Sequence, residues 1–546
     1  MQNLTRRAFV GSAGAAVASA ACVGGAMAAE ASAEATAAEI EWADEADVVV
    51  LGTGAAGLSA AVTIGAEGLG SVIVLEAAPE EENGGNSRVC GQGVFSPDSV
   101  EGAVAYQTDL NGAYTVEPEL IQAWAEGVCG NIEWLSDTVG FDAVEMGTAE
   151  FPEAASADCV RWYAHEGGGP NQATWKLLMA AAEDYDTTIY YDARGVELIT
   201  NEAGEVIGVT TEDGRSFKAA KAVILACGGF EANQEMMNMC SPIGAWGIQP
   251  NGTWWNRGDG IVMCEKLGAQ MWHMNNFSGN RASLQIVAPD DMTHLTQASF
   301  GAAHDFIILG PDGKRFIYEE TLGQARHGKL FRAGSWRSAT LPPQMFMLFN
   351  QQTYDAKNIF TSSSFASRTE SVGALTSNDE LLEAGIIVSC ESAADIAAFT
   401  GLDEATVQAS LDTWNAYADA NDDQEFHRGV ESYDEGMVLS HTNTNTDGYV
   451  NSAVQASIAA FDLQHIEMPC YCVKLFPAIL NTQGGPKRAA DGGVLRRDGS
   501  AIPRLFAAGE MGTVYSYKYN LGGNFSEAIS SGRIAARSAC ALEAWA

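Results

Sequence analysis

One stretch near the start of the chain restricts its fold more than any other. An unbroken apolar run at residues 47–51 is followed by Gly52-x-Gly54-x-x-Gly57 and an Ala-rich segment at residues 58–65. A second apolar run, residues 71–75, ends at Glu76. Continuous apolar runs are typical of strands that are covered on both faces of a parallel sheet. The pattern therefore predicts a strand–turn–helix–strand unit and an α/β fold.

The three glycines of this turn have separate physical roles in such a unit. Gly52 allows the tight turn, Gly54 lets the backbone approach a pyrophosphate, and Gly57 lets the helix pack closely on the strand. The helix N-terminus presents N–H groups and a positive dipole to phosphates. Glu76 is placed to accept hydrogen bonds from an adenosine ribose. We interpret the unit as a Rossmann-like dinucleotide site, the alternative being a glycine-rich turn without a ligand.

Further glycine-rich segments favour FAD over NAD. The motifs are Gly84-Gly85-Asn86-Ser87, Gly91-Gln92-Gly93, a strand at residues 505–508 that ends in Gly509-Glu510, and Leu521-Gly522-Gly523-Asn524 before a helix at residues 525–541. That helix N-terminus could stabilise negative charge on a reduced flavin. The residues predicted to bind FAD are Gly52, Gly54, Ala55, Ala56, Gly57, Glu76, Asn86, Ser87, Gly91, Gly93, Val196, Gly228, Gly229, Asp259, Gly509, Glu510, Asn524, Phe525 and Ser526.

Attachment of the flavin is predicted to be non-covalent. The loop that follows the first glycines reads Ser87-Arg88-Val89-Cys90 and contains no histidine for a flavin link. Cys90 is the alternative attachment site.

The remaining patterns predict two domains. Short strands at residues 196–200, 206–211 and 221–226 continue the first domain, whereas residues 275–465 lack its periodicity and are richer in His, Asn and aromatic residues. We predict an α/β fold: a Rossmann-like FAD-binding domain in two segments with an inserted α+β cap domain. The predicted parts are a signal peptide at 1–28, a linker at 29–45, the FAD-binding domain at 46–274 and 466–546, and a substrate or cap domain at 275–465.

The first 28 residues have the features of an export signal. Thr5-Arg6-Arg7-Ala8-Phe9-Val10 resembles the twin-arginine motif, a weakly apolar run covers residues 11–25, and Ala26-Met27-Ala28 is an A-x-A cleavage site. We predict export by the twin-arginine route to a periplasmic or other extracytoplasmic, cell-surface-associated location. The alternative is a lipoprotein that begins at Cys22.

Charge and cysteine usage exclude several classes of function. The chain has 70 acidic and 30 basic residues, a formal net charge of −40, which argues against nucleic acid as a partner. The acidity is typical of a soluble exported protein, and steering of a basic redox partner is the alternative. The 11 cysteines form no C-x-x-C-H and no C-x-x-C, so we predict no haem, iron–sulfur or other metal site. The electrons must then come from outside the chain.

As an ordered set, these motifs resemble the flavoprotein subunit family of fumarate reductase and succinate dehydrogenase. Its relatives include flavocytochrome c fumarate reductases, urocanate reductase, L-aspartate oxidase and 3-ketosteroid Δ1-dehydrogenases. The resemblance runs from about Ala46 to Ala539. It implies that a cap covers the flavin, that a partner reduces the FAD, and that hydride passes from the flavin to an activated C=C bond.

The resemblance also implies catalytic residues. The family's Arg-Phe-x-Asn-Glu appears as Arg315-Phe316-Ile317-Tyr318-Glu319, with Tyr318 in place of Asn. Ala325-Arg326-His327 is the nearest match to Thr-Arg-Asp, whose Arg donates the proton. Tyr318, Glu319 and Arg326 are therefore predicted to be catalytic, and the alternative for Arg326 is an arginine on the cap surface.

The residues that clamp a substrate carboxylate in this family have changed. Its His-Thr-x-Gly-Gly appears with Asn481 first, and its Asn-Arg-Leu-Gly-Gly-Asn has Asn520 in place of Arg. Two lost charge-assisted bonds make fumarate an unfavourable substrate, since each is worth about 1.5–3 kcal/mol. Tyr519, beside Tyr515 and Tyr517, is predicted to be catalytic because a phenol can donate a hydrogen bond to a developing enolate.

The predicted function is that of an exported FAD-dependent oxidoreductase acting on CH–CH bonds. It would reduce an α,β-unsaturated carboxylate or an enone, with electrons from a separate c-type cytochrome or membrane quinol oxidoreductase. The alternatives are a 3-ketosteroid-type dehydrogenase, and a flavin electron carrier without an organic substrate.

Overall fold

The computed structural model describes residues 40–167, 173–241, 249–278, 281–287, 293–297, 306–317, 319, 329–332, 335–338, 341–356, 377–429 and 462–545. The described residues from Glu41 onward form one compact unit. The predicted signal peptide, including Cys22, and most of the predicted linker lie outside the described residues.

The strands of the first half of the chain are β1 (Trp42–Leu51), β2 (Val72–Leu75), β3 (Val94–Phe95), β4 (Ala143–Gly147), β5 (Trp162–His165), β6 (Thr188–Tyr190), β7 (Gly195–Thr200), β8 (Val206–Thr211), β9 (Ser216–Leu225), β10 (Gln249–Pro250), β11 (Met271–Trp272) and β12 (Phe277–Ser278). Those of the second half are β13 (Arg281–Val287), β14 (Thr293–Gln297), β15 (Phe306–Leu309), β16 (Lys329–Arg332), β17 (Ser335–Ser338), β18 (Met345–Phe349), β19 (Ile387–Cys390), β20 (Cys470–Ile479), β21 (Asn481–Thr482), β22 (Gly485–Pro486), β23 (Gly493–Leu495) and β24 (Ala501–Ala507).

The α-helices of the described residues are α1 (Ala55–Ala66), α2 (Gly85–Val89), α3 (Val100–Asn111), α4 (Pro118–Cys129), α5 (Asn131–Val139), α6 (Ala173–Asp184), α7 (Gln234–Cys240), α8 (Asp259–Lys266), α9 (Gln351–Ala356), α10 (Asn378–Glu383), α11 (Ala393–Thr400), α12 (Glu404–Ala420) and α13 (Gly523–Cys540). None of these helices is long and apolar enough to cross a membrane.

An eight-stranded sheet forms the centre of the part predicted to bind the cofactor. Its strand order is β23-β24-β9-β1-β2-β6, and β8 joins β7 to β9. β1 pairs in parallel with both β2 and β9, and β24 pairs in parallel with β9. Along β1, Val48 and Val50 pack into one core with α1, α6 and α13, whereas Val49 and Leu51 pack into a second core on the other face. Both faces are covered, which explains the unbroken apolar run of this strand.

The predicted α/β fold is confirmed, with small differences at the ends of elements. β1 begins at Trp42, so residues 42–45 of the predicted linker belong to the sheet, because Trp42 pairs with Ser216 of β9. β9 is correspondingly longer than the strand predicted at residues 221–226. The helices predicted at 58–65 and 525–541 are α1 and α13, which begin three and two residues earlier. Pairing and packing with distant residues set these ends.

A seven-stranded sheet forms the centre of the predicted cap. Its order is β14-β13-β20-β18-β15, with β10 and β19 also paired to β20. β20 is the long central strand, although its residues fall in the segment predicted to return to the FAD-binding domain. Tyr471 and Val473 pack into one apolar core of this sheet and Cys472 into another. The numerical domain limits themselves stay a prediction.

Candidate cofactor and substrate site

A cleft opens at the carboxyl ends of the parallel strands of the main sheet. β1, β2, β9 and β24 end at Leu51, Leu75, Leu225 and Ala507, and residues at or just after each end line an empty volume of about 930 Å³. In open α/β sheets this edge is where ligands bind. The N-terminal turns of α1 and α13 also reach the cleft, through Ala55 and Asn524.

Most of the residues predicted to bind the cofactor meet in this cleft. Those in its lining are Gly52, Gly54, Ala55, Ala56, Glu76, Asn86, Ser87, Gly228, Asp259, Gly509, Glu510, Asn524 and Phe525. Those that are not in its lining are Gly57, Gly91, Gly93, Val196, Gly229 and Ser526. Arg194 and Gly195, which precede Val196 in the sequence, line the cleft in its place. Ser526, in α13, is buried.

The glycine turn leaves space for a ligand at one position only. Gly52 has φ +106°, and a Cβ atom there would lie 2.5 Å from the Ala226 carbonyl oxygen. A Cβ atom at Gly57 would lie 1.9 Å from the Gly52 oxygen, so Gly57 permits helix packing. At Gly54, with φ −66°, the nearest atom would be Ser87 Oγ at 3.5 Å. The protein itself therefore leaves the space beside Gly54 open, and a pyrophosphate at the start of α1 fits this arrangement.

Two buried carboxylates meet on one side of the cleft. Asn86 Nδ2 donates to Glu231 Oε1 at 2.8 Å and to Glu510 Oε2 at 3.3 Å. Asn256 Nδ2 bridges the same two oxygens at 2.7 and 3.5 Å. Burial, together with the Glu231 charge, raises the pKa of Glu510 well above its ordinary value, and burial also raises the pKa of Glu231. The Thr482 amide and hydroxyl also donate to Glu231, so hydrogen bonds stabilise negative charge on Glu231 more than on Glu510.

Sequence reasoning missed Glu231 and Asn256, although Glu231 stands two residues after the predicted Gly229. It also missed Arg194, which lines the cleft and forms a bidentate ion pair with the predicted Asp259 at 2.9 and 2.6 Å. The predicted Glu76 accepts from the Thr53 and Ala78 amides at 2.8 Å each, so it holds the turn as well as lining the cleft. No local pattern distinguishes Arg194 or Asn256 from surface residues.

Tyrosine rings pack against the start of α13, beside the cleft. A Cβ atom on Gly523 would lie 3.1 Å from Tyr515 Oη and 3.2 Å from Tyr519 Cδ2. The Tyr519 hydroxyl lies 3.0 Å from Ser278 Oγ, and Ser278 pairs with Asn481 across β12 and β21. Through Ser278, the structure therefore brings the predicted Tyr519 and Asn481 close together.

The other predicted substrate residue, Asn520, is placed differently. Its Oδ1 accepts from the Tyr106 hydroxyl at 2.7 Å and from the Glu150 amide at 2.8 Å, and its Nδ2 donates to the Leu521 oxygen at 2.9 Å. The side chain is buried, at 1% exposure. These contacts fix the Asn520 side chain within the protein, which the sequence could not reveal because Tyr106 lies 414 residues away.

Glu319, predicted to be catalytic, is part of a buried ion-pair cluster in the cap. Arg315 donates to it at 2.6 and 2.8 Å and also pairs with Asp423 at 2.8 Å. The Ile308 amide of β15 donates to it at 3.3 Å. These contacts support the cap sheet and lend no support to a catalytic role for Glu319. Tyr318 and Arg326, the other residues of the two catalytic motifs, lie outside the described residues.

A buried lysine that no sequence motif indicated lies close to the tyrosines. Lys329 Nζ donates to Asn276 Oδ1 at 3.1 Å and to the Phe277 oxygen at 3.2 Å. Burial lowers the pKa of Lys329 to about 7. Within the described part of the chain, no group of three or more His, Cys, Asp or Glu side chains is arranged to hold a metal ion.

The chain is similar in sequence to redox enzymes. A family model described as FAD binding domain matches residues 47–526. The chain is 24% identical to a digoxin reductase of Eggerthella lenta, covering 93% of this chain and 89% of that protein. It is 27% identical to a 3-oxosteroid 1-dehydrogenase of Mycobacterium tuberculosis, over 90% and 98% of the two chains. It is 25% identical to a urocanate reductase of Eggerthella lenta, over 91% and 75%.

Solved structures share the fold. A 3-ketosteroid Δ1-dehydrogenase from Sterolibacterium denitrificans superposes with a TM-score of 0.68 at 19% identity, covering 91% of this chain and 99% of that chain. A flavocytochrome c3 fumarate reductase superposes with a TM-score of 0.64 at 21% identity, covering 91% and 78%.

Proposed function

Because the chain belongs to the FAD-binding-domain family of flavoprotein oxidoreductases, with FAD as its cofactor, we propose that it reduces an activated C=C bond. The substrate has a flat apolar body and at most one carboxylate, as in an aryl acrylate or an enone. The relatives named digoxin reductase and 3-oxosteroid 1-dehydrogenase are consistent with such a substrate.

This proposal rests on the surroundings and the missing charge of two asparagines, Asn481 and Asn520. Asn520 uses its amide groups on Tyr106, Glu150 and the Leu521 backbone, and Asn481 is a neutral, buried side chain. Neither brings the positive charge that compensates a carboxylate in a desolvated site. Binding a dianion there would leave charge uncompensated, at a cost of several kcal/mol.

Tyr519 is the residue that we propose to polarise the substrate. Bound FAD supplies the hydride chemistry, and the Tyr519 ring packs beside the first residue of α13, next to the cleft. We propose that its hydroxyl, which lies 3.0 Å from Ser278 Oγ, donates to a carbonyl oxygen of the substrate on which negative charge develops. Arg326 remains the proposed proton donor on the strength of its motif.

Electrons are proposed to come from a separate protein. The described residues hold no metal-ligating cluster, and the cysteine pattern predicts no haem or iron–sulfur site. A c-type cytochrome or a membrane quinol oxidoreductase would serve an exported enzyme.

Non-covalent attachment of FAD is also a proposal. Cys90 lines the cleft, but burial raises the pKa of its thiol to about 12, which keeps it in the unreactive thiol form. Acid precipitation should therefore release the flavin into the supernatant.

Anaerobic reoxidation tests the substrate class. Protein reduced with a viologen dye is mixed with an aryl acrylate, a cyclic enone or fumarate, and flavin absorbance is followed. We expect kcat/KM for fumarate to be at least ~100-fold lower, about 2.7 kcal/mol of transition-state stabilisation. Efficient reoxidation by fumarate contradicts the proposal.

Two further outcomes of this experiment separate the alternatives. No reoxidation by any organic acceptor indicates an electron carrier, whereas reduction of the oxidised flavin by a saturated ketone indicates a dehydrogenase.

The Arg326→Ala variant should keep its FAD and reduce the substrate more slowly. An unimpaired variant would indicate that a tyrosine donates the proton instead.

A further inference from the structure

A series of hydrogen-bonded side chains runs from the β16–β17 hairpin to the cofactor cleft. Lys329 Nζ donates to Asn276 Oδ1 at 3.1 Å, and Asn276 Nδ2 donates to Gln483 Oε1. Gln483 Nε2 lies 3.5 Å from Asn524 Oδ1, and Asn524 lines the cleft at the start of α13. The first three side chains are almost completely buried, so water does not compete for these bonds.

Lys329, the first residue of this hydrogen-bonded series, and the Tyr515 backbone oxygen together determine the direction of its bonds. A lysine side chain donates from its nitrogen to Asn276 Oδ1 and to the Phe277 backbone oxygen, in its charged form and its neutral form alike. Asn276 must then turn its NH₂ group toward Gln483 and toward the Tyr515 backbone oxygen, 3.0 Å away. Gln483 in turn accepts from Asn276 and donates to Asn524. A flipped amide at any step would place two acceptors or two donors against each other.

The position of Lys329 supports such a fixed orientation. It is only 2% exposed, and its Nζ lies 4.9 Å from the centre of the Tyr517 ring and 5.2 Å from that of Phe277. A buried amine is costly unless its hydrogen bonds are made, and aromatic faces stabilise it further. The structure therefore keeps a donor at one defined place in the core.

We propose that Lys329 is a positioning residue that acts through Asn276 and Gln483 to orient the Asn524 amide, so that the Asn524 NH₂ group faces the flavin. The Asn524 carbonyl oxygen accepts from Gln483, which leaves its NH₂ group for a ligand in the cleft. Placed in the first turn of α13, this donor adds to the helix dipole and favours the negative charge of reduced flavin. The inference depends on FAD binding and is independent of the substrate.

The test is the midpoint potential of the flavin in the FAD-loaded protein. Lys329→Met and Gln483→Met each interrupt the series, and each should weaken the preference for reduced over oxidised flavin by about tenfold. For a two-electron couple this lowers the potential by about 30 mV. The double variant should shift no further than either single variant, because both changes disable the same series.

Matched variants distinguish loss of the hydrogen-bonded series from loss of a positive charge. Lys474→Met removes a lysine that packs over Phe399 and is not part of the hydrogen-bonded series. This variant should leave the midpoint potential of the flavin unchanged. Lys329→Arg keeps a donor-only cation and should recover part of the shift. If Gln483→Met binds FAD with the wild-type potential, the proposal is wrong; this variant remains informative should Lys329→Met fail to fold. Additive shifts in the double variant also overturn it, since they indicate a direct effect of the lysine charge.

Discussion

At the scale of single residues, alanine substitution at two glycines of the same turn should affect different properties: FAD affinity at Gly54 and apoprotein stability at Gly57. Gly54→Ala meets no atom closer than 3.5 Å, so the apoprotein should fold normally but lose FAD affinity by ~100-fold or more, about 2.7 kcal/mol. Gly57→Ala places a Cβ atom 1.9 Å from a backbone oxygen and should destabilise the apoprotein itself by about 3 kcal/mol or more. Urea unfolding and flavin titration distinguish the two, and equal FAD affinity of Gly54→Ala and wild type refutes the assigned pyrophosphate position.

Glu510 is the residue with the clearest expected pH dependence. Its raised pKa means that the folded apoprotein holds a proton that the unfolded chain releases above about pH 4.5. The contribution of Glu510 to stability is therefore greatest below that pH and falls as pH rises toward the folded pKa. Glu510→Gln, which mimics the protonated acid, should match wild type near pH 4 and become relatively more stable at higher pH. A difference in unfolding free energy that stays constant from pH 4 to 8 contradicts this assignment.

At the scale of elements, α13 forms two ion pairs that should contribute very different amounts to the free energy of unfolding. Arg488 and Glu527 pair at 2.5 Å with both side chains 3% exposed, and Arg488 also donates to the Gly512 oxygen after β24. Arg488→Met leaves a buried carboxylate alone and should cost 3–5 kcal/mol, estimated roughly from buried pairs. On the same helix, Arg537 and Glu67 are 49% and 35% exposed, so Arg537→Met should cost under about 1 kcal/mol. If urea unfolding shows comparable losses of unfolding free energy in the two variants, burial does not determine how much each ion pair stabilises the protein.

At the scale of the whole molecule, the family match begins at residue 47, which places the twin-arginine segment outside the matched region. Export by that route remains our proposal. It suits a flavoprotein because folded proteins can be carried after the cofactor is inserted. Changing both Arg6 and Arg7 to Lys should retain the precursor inside the cell, as measured by fractionation and immunoblotting. Mature protein outside the cell despite both changes would point to another route, and an N-terminus at Cys22 would indicate a lipoprotein.

The sequence by itself determined the parts of this protein whose signals are local. The run from β1 through the Gly52–Gly57 turn to Glu76 specifies a βαβ unit because each step depends on neighbouring residues, and the cleft formed where that unit predicts it. The glycine motif near Gly509 likewise reached the same cleft, since parallel strands end at one edge of a sheet.

Only the tertiary structure decided what depends on residues far apart in the chain. The Asn520 carbonyl oxygen accepts from the Tyr106 hydroxyl across 414 residues, a contact that no local pattern around Asn520 indicates. Glu319 joined a buried ion-pair cluster with Arg315 and Asp423, and burial together with the charge of the distant Glu231 raises the pKa of Glu510. Burial, partner and charge are properties of the assembled core, and no spacing along the sequence encodes them directly.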